Sequence, residues 1–370
     1  MEYEIIRGKE NKAFDGCDFV VRLSDDRKNS KIKILQITDT QVIDSMQRRS
    51  TSKLREDEII AWKPENFDGH CGNHIRSLVA QSNPDLIIIT GDIIYGSYDD
   101  NGSVLDWFCK LMDSFKIPWA PVFGNHDNES LKGVDWQCAR LKQSPYCLFE
   151  RGEVSGNGNY SVGVAIGDNL IRVIHMLDSN GCSDGTDPSI IKEKGIYADQ
   201  IELVKSNTSK IERAQGKPIP AFMALHIPIS CFITAEVSKQ YNGELGEFYT
   251  LGVDRVAKDG DFGFKLEGLN GIEVGDNFID FLHSLSIDGV FAGHVHDSCT
   301  CIEYEKIKWV LGLKTGQYDY HVPGQLGGTL ITLEGEGFAV SHLPTLVQFA
   351  PMAGSAGMFT NFFVEDVKTK

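Results

Sequence analysis

Residues 85–92 read Asp-Leu-Ile-Ile-Ile-Thr-Gly-Asp, and the architecture can be worked out from this stretch. Leu86 to Ile89 are apolar without alternation, so whatever they form is buried on both faces. The run is short for a helix and suits a strand inside a parallel sheet covered on both sides. It stops at Gly91-Asp92, a turn that leaves a carboxylate at the carboxyl end of the strand. The same order recurs four times. Residues 31–38 (KIKILQIT) run into Asp39, and 118–123 (PWAPVF) into Gly124-Asn125-His126-Asp127. Residues 221–225 (AFMAL) run into His226, and 287–292 (IDGVFA) into Gly293-His294-Val295-His296.

Helical patterns lie between these runs. Residues 103–115 repeat apolar side chains at three-to-four spacing (Val104, Leu105, Trp107, Phe108, Leu111, Met112, Phe115), and 72–81, 199–215 and 276–285 read similarly. Strand alternating with helix implies a largely parallel sheet with helices on its faces. A second β set follows at 159–166 and 170–177, joined by Gly167-Asp168-Asn169, with more antiparallel strands at 299–313 and 328–340. The expected fold class is α/β: two sheets packed face to face with helices outside. Residues 1–30 read as an N-terminal strand and turn extension, 31–345 as the catalytic domain and 346–370 as a tail.

In an open α/β sheet, ligands bind beyond the carboxyl ends of the strands. All five polar signals occupy that end of their own strand, so folding the sheets gathers them. A lone Gly-Asp is usually a turn, and one His-x-His is often structural. His294 and His296, two apart in extended chain, project to one face and can serve neighbouring metals. Five such signals in one order leave little room for a purely structural reading.

Asp39-x-Gln41, Gly91-Asp92, Gly124-Asn125-His126-Asp127, His226 and Gly293-His294-x-His296 resemble the five-block signature of calcineurin-like metallophosphoesterases, over about residues 31–300. The resemblance implies a two-sheet αββα sandwich and two metal ions, with Asp92 bridging them. One metal would take Asp39, Asp92 and His296, and the other Asp92, Asn125, His226 and His294. It further implies His126 as the acid that protonates the leaving group, with Asp127 fixing its tautomer. The physical logic agrees. Phosphate esters are anionic, so a catalyst must neutralise charge and supply a nucleophile at neutral pH. Two cations about 3.5–4 Å apart do both, a hydroxide held by them attacking phosphorus in line.

The first block departs from the commoner Asp-x-His, because Gln41 stands where the histidine would. Tyr95, three residues past Asp92, gives an Asp-x-x-Tyr spacing that resembles purple acid phosphatases, whose tyrosine binds ferric iron. The expected cofactors are therefore two transition metals, Fe, Mn or Zn, one of them Fe(III) if Tyr95 ligates. Otherwise Tyr95 packs against the sheet, and Gln41 or water completes the site. His70 and His74, at the end of a 42–70 insertion, could reach substrate phosphate or serve a surface or helix-start role. A second insertion, 231–273, separates the last two blocks; such long connections shape a pocket or lid.

The 370 residues carry a net charge of −16, a field that repels polyanions and weighs against tight nucleic-acid binding. No apolar run is long enough to span a membrane. Nine cysteines without Cys-x-x-Cys spacing suggest reduced thiols in the cytoplasm, with secretion left open if a leader was removed. A Walker A motif is absent, as is the Gly-Asp-x-Val-Asp-Arg-Gly of serine/threonine protein phosphatases. The expected activity is hydrolysis of a small phosphate monoester. A phosphodiesterase, or a non-catalytic interaction module on the same fold, are the alternatives.

Overall fold

Each of the five apolar runs forms a strand, and the five are divided between two sheets. The computed structural model describes residues 3–7, 11–47, 54, 56–183, 186–187, 191–238, 261–265, 269, 271–317, 319, 321 and 325–345. The smaller sheet has the order β16 (Gly337–Pro344), β15 (Gly327–Glu334), β3 (Ile32–Ile37), β4 (Leu86–Thr90) and β5 (Trp119–Val122). Within it β3, β4 and β5 are parallel, and the β15–β16 hairpin adds antiparallel to β3.

The larger sheet starts with β1 (Tyr3–Arg7), β2 (Phe19–Leu23), β6 (Tyr160–Ile166) and β7 (Asn169–Met176). It continues through β10 (Ala221–Ala224), β12 (Ile287–Ala292), β14 (Ile307–Leu311), β13 (Ser298–Tyr304) and β11 (Phe262–Lys265). Its centre, β7, β10, β12 and β14, is parallel. In the segment expected as antiparallel strands at 299–313, β13 is antiparallel to both β11 and β14, whereas β14 also runs parallel to β12 and extends the central block. A separate ribbon pairs β8 (Asn180–Ser183) with β9 (Ile191–Lys194).

The two-residue period of a strand explains the layering. On β10, Phe222 and Ala224 join Phe291 and Val310 in a core shared with Ile34, Ile87 and Ile89 of the smaller sheet. Ala221 and Met223, pointing the other way, pack with Val290, Val204, Ile211 and Leu282. Both faces of β10 are therefore apolar, which is why its sequence shows no alternation. Full burial of side chains such as Phe222 and Phe291 is worth about 1.5–3 kcal/mol each.

Helices complete the outer layers. Helix α1 (Glu56–Ala61) lies in the first insertion, followed by α2 (Asn73–Ser82), α3 (Ser103–Ser114) and α4 (Val134–Gln143). Ile75, Leu78, Val104, Phe108, Met112 and Leu141 from these helices join the core around the smaller sheet. Covering the outer face of the larger sheet are α5 (Ala198–Gln215), α6 (Ser230–Ser238) and α7 (Phe278–Ser284). The molecule is the αββα sandwich expected.

The N-terminal residues supply β1, the edge strand of the larger sheet, and β2 beside it, which runs parallel to β6. Among the described residues no helix is long and apolar enough to cross a membrane. Residues 239–260 of the second insertion and the tail 346–370 lie outside the described residues.

Candidate metal centre

The polar signals lie just beyond their strands: Asp39 after β3, Asp92 after β4, Asn125 after β5, His226 after β10, and His294 and His296 after β12. Three loops come from the smaller sheet and two from the larger, so the site spans both layers. Ligating atoms of Asp39, Asp92 and His226 lie within 4.8 Å of one another, and all three residues are buried. The other candidates adjoin this trio. His226 Nε2 lies 3.1 Å from Asn125 Oδ1 and 3.3 Å from His294 Nδ1. His296 Nε2 lies 3.2 Å from Asp39 Oδ1.

The backbone here is forced into an uncommon shape. Asp39, Gln41, Asp92 and His294 all have positive φ, at 51°, 42°, 51° and 72°. Each such non-glycine residue costs about 1–3 kcal/mol unless its surroundings over-determine it. Here they do. Asp39 N–H donates to Gly91 O (3.1 Å), Gln41 N–H to Asp92 O (2.8 Å), and Gly293 N–H to His226 O (3.0 Å). Two glycines of the motifs allow this approach. A Cβ on Gly91, itself at φ 87°, would stand 2.6 Å from the His226 ring, and one on Gly124 would stand 2.1 Å from Asp92 Oδ1.

Both carboxylates are aimed by donors. Asp39 Oδ2 accepts from Thr38 Oγ1 (2.7 Å) and His294 N (3.0 Å), and Asp92 Oδ1 accepts from His126 N (2.9 Å). Burial opposes charge on Asp39, but His296 and His226 outweigh it and hold its carboxyl well below the usual range. For Asp92, burial is again overcome, chiefly by His226 and His126. Burial pushes His294 down to about 4, and also lowers His296, leaving both imidazoles in the neutral form that binds metals.

His226 tests whether the residues fit a cation. Its Nδ1 lies 2.8 Å from Thr90 O, and since a carbonyl only accepts, Nδ1 carries the proton. Nε2 then faces Asp92 Oδ2 (3.3 Å), Asn125 Oδ1 and His294 Nδ1, a convergence of lone pairs. Such a cluster repels itself unless positive charge sits in its midst. Burial opposes that charge on the His226 ring, yet Asp92 pulls its pKa up to about 10: the spot takes either a proton or a metal ion. The Nδ1–H···O=C bond from ring to backbone is the usual support of a metal-ligating histidine. The donor set fits transition metals.

His126 is held by a partner the sequence reading missed. Its Nδ1 lies 2.9 Å from Glu129 Oε2, and its ring stacks on Tyr95 with centroids 4.1 Å apart. The expected partner, Asp127, is occupied elsewhere: Oδ1 accepts from Ile94 N (3.0 Å) and Oδ2 from Gly124 N (2.7 Å). Burial and then the charge of Asp92 raise the Asp127 carboxyl to about 7. Asp127 thus ties the loops after β4 and β5 together, and the short 3-10 turn at Asp127–Glu129 brings Glu129 to the Nδ1 edge of the ring. Burial opposes a proton on His126, but Asp92 and Glu129 raise its pKa to about 9.

Gln41, Tyr95 and the two outlying histidines differ in what surrounds them. Gln41 Nε2 lies 3.3 Å from Asp92 Oδ2, while its Oε1 accepts from Lys314 Nζ at 2.8 Å. Lys314 is buried, on the loop after β14, and burial lowers its pKa to about 8. No motif advertised it. Burial, then the charges of Asp319 and Glu129, push the Tyr95 phenol well above its ordinary value. His74 is turned into the protein, its Nε2 2.7 Å from Thr345 Oγ1, and burial lowers its pKa to about 3. It is a buried neutral ring at the start of α2, not a surface group. The His70 side chain lies outside the described residues.

A family model described as calcineurin-like phosphoesterase matches residues 32–298. A protein of Arabidopsis thaliana named "Probable inactive purple acid phosphatase 29" is 22% identical over 81% of this chain and 75% of its own. "Phosphatase DCR2" of Saccharomyces cerevisiae is 26% identical over 74% of this chain, which spans only 45% of that protein. Among solved structures, the purple acid phosphatase PPD1 from yellow lupin (Lupinus luteus) seeds aligns with a TM-score of 0.41 at 10% identity. That alignment covers 85% of this chain and 52% of that one.

Proposed function

Since the chain belongs to the calcineurin-like phosphoesterase family, we propose that it hydrolyses a small phosphate monoester with two metal ions held by Asp39, Asp92, Asn125, His226, His294 and His296. The observation that carries this reading is the convergence of Asp92 Oδ2, Asn125 Oδ1 and His294 Nδ1 on His226 Nε2, which calls for a cation. When bound, the metals supply Lewis acidity and lower the pKa of a coordinated water to about 7, which supports hydrolysis at neutral pH.

The protein's own groups have separable tasks. Asp92, with Oδ1 on the His126 amide and Oδ2 toward His226, would join the two metal positions. Asp39 and His296 form the first position, and Asn125, His226 and His294 the second. His126 acts as the acid. Glu129 at Nδ1 leaves Nε2 as the ring atom that hands a proton to the departing oxygen, and a pKa near 9 keeps the ring charged at neutral pH. Tyr95 would be a further ligand of the first position, as a phenolate, if that position held ferric iron.

A second reading rests on the printed name of the Arabidopsis relative, which includes the word inactive. On that reading the chain holds metal without turnover. One experiment separates the two: metal content of the purified protein, together with rates on p-nitrophenyl phosphate and bis-p-nitrophenyl phosphate. Two metals and monoester turnover support the proposal. Diester turnover alone replaces it with a phosphodiesterase, metal without turnover leaves a binding module, and a metal-free, inert protein overturns the assignment.

A further inference from the structure

Lys314 reaches the metal centre from the loop after β14, 273 residues along the chain from Gln41. Its Nζ donates to Gln41 Oε1 at 2.8 Å and to the backbone oxygen of Asp39 at 3.0 Å. An ammonium has donors only, and a carboxylate has acceptors only. Between Lys314 and Asp92 the Gln41 amide can therefore stand only one way round, with oxygen to the lysine and nitrogen to Asp92 Oδ2. The single atom through which Gln41 could ligate a metal is already engaged. What it turns toward the shared carboxylate is an N–H, which a cation avoids.

The buried ammonium also adds positive charge beside one metal position and not symmetrically to both. Its backbone contact is to Asp39, whose carboxylate pairs with His296, whereas Asn125 and His294 lie against His226. We propose that Lys314, acting through Gln41, makes the Asp39/His296 position the weaker of the two, so that the Asn125/His226/His294 position fills first. Lys314 is thus a positioning residue that sets the order of metal loading. This inference rests on the two-metal reading above.

The test is a titration of the metal-stripped full chain with Mn²⁺, free ion being followed by electron paramagnetic resonance, so that no turnover is needed. Wild-type protein should take up two equivalents in steps separated by about tenfold or more. Lys314→Gln keeps a hydrogen-bond donor while removing the charge, and should tighten the second equivalent by about tenfold. Gln41→Glu leaves the lysine in place and cancels its charge locally, so it should tighten the second equivalent as well, even if the lysine variant folds poorly. The inference is overturned if wild-type protein binds two equivalents without a step, or if a folded variant stays within about twofold of wild type. A wild-type chain that binds no Mn²⁺ overturns the proposed function itself.

Discussion

The ring of Tyr95 lies nearly flat on that of His126, with 22° between their planes. With Glu129 at Nδ1, this stacking leaves the imidazole little freedom to turn. The group proposed as proton donor is thus fixed from its face by an aromatic and from its edge by a carboxylate.

Replacing His126 with alanine should leave metal content intact and lower kcat by about 10²–10⁴ on alkyl phosphates, with a smaller loss on activated aryl esters. An equal loss on both substrate kinds would count against the acid role.

The pH profile offers an independent check through Glu129. A histidine whose folded pKa is raised from 6.5 to about 9 stays protonated through neutrality and loses its proton as pH climbs through that higher value. Activity on alkyl phosphates should accordingly fall on the alkaline side of neutrality, as the ring loses its proton. In Glu129→Gln one of the charges that raises the pKa is gone, so the limb should move toward neutrality; an unmoved limb would show that Glu129 does not govern His126.

Asp92→Ala should lose both metals together and lower turnover by roughly 10³-fold or more, the scale on which removing a preorganised charge stabiliser acts. Elemental analysis of the folded variant decides the matter. One metal retained would mean that Asp92 serves a single position.

Tyr95→Phe keeps the ring that stacks on His126 and removes only the hydroxyl. Iron-grown wild-type protein should be coloured by phenolate-to-iron charge transfer, and the variant should lose that band with stability changed by under about 1 kcal/mol. A variant as coloured as wild type would exclude Tyr95 as the chromophoric ligand.

Chelation should expose the proton that the metal replaces. His226 has its folded pKa raised from 6.5 to about 10, so its pairing with Asp92 stabilises the stripped protein fully below pH 6.5 and is lost as pH rises through 10. Melting temperatures of stripped protein should decline across that window. Protein with metal at one hundred times its Kd should gain about 2.7 kcal/mol per site and decline less. Identical curves with and without chelator would mean that no metal is resident.

The strands could be read from the sequence because burial on both faces erases alternation, and their carboxyl ends could be read because the apolar runs stop at polar residues. The sequence therefore places Asp39, Asp92, Asn125, His226, His294 and His296 together. Contacts across loops could not be read in this way. Asp127 looked like the partner of His126 because it is adjacent, yet its carboxylate serves two backbone amides, and a 3-10 turn delivers Glu129 instead. Lys314 sits in no motif, and its role depends on how the loop after β14 folds back on Asp39. The left-handed φ angles at Asp39, Gln41 and Asp92 are equally invisible, because carboxylates and amides seldom require that conformation.

The ligands come from loops on two separate layers: Asp39, Asp92 and Asn125 hang from the smaller sheet, His226, His294 and His296 from the larger. A bound ion would therefore act as a rivet through the sandwich. Sliding one layer past the other would stretch ligand–metal bonds, so filling the centre opposes shear between the sheets. Amide exchange in β4 and β10, strands on opposite layers, should then slow together when metal is added.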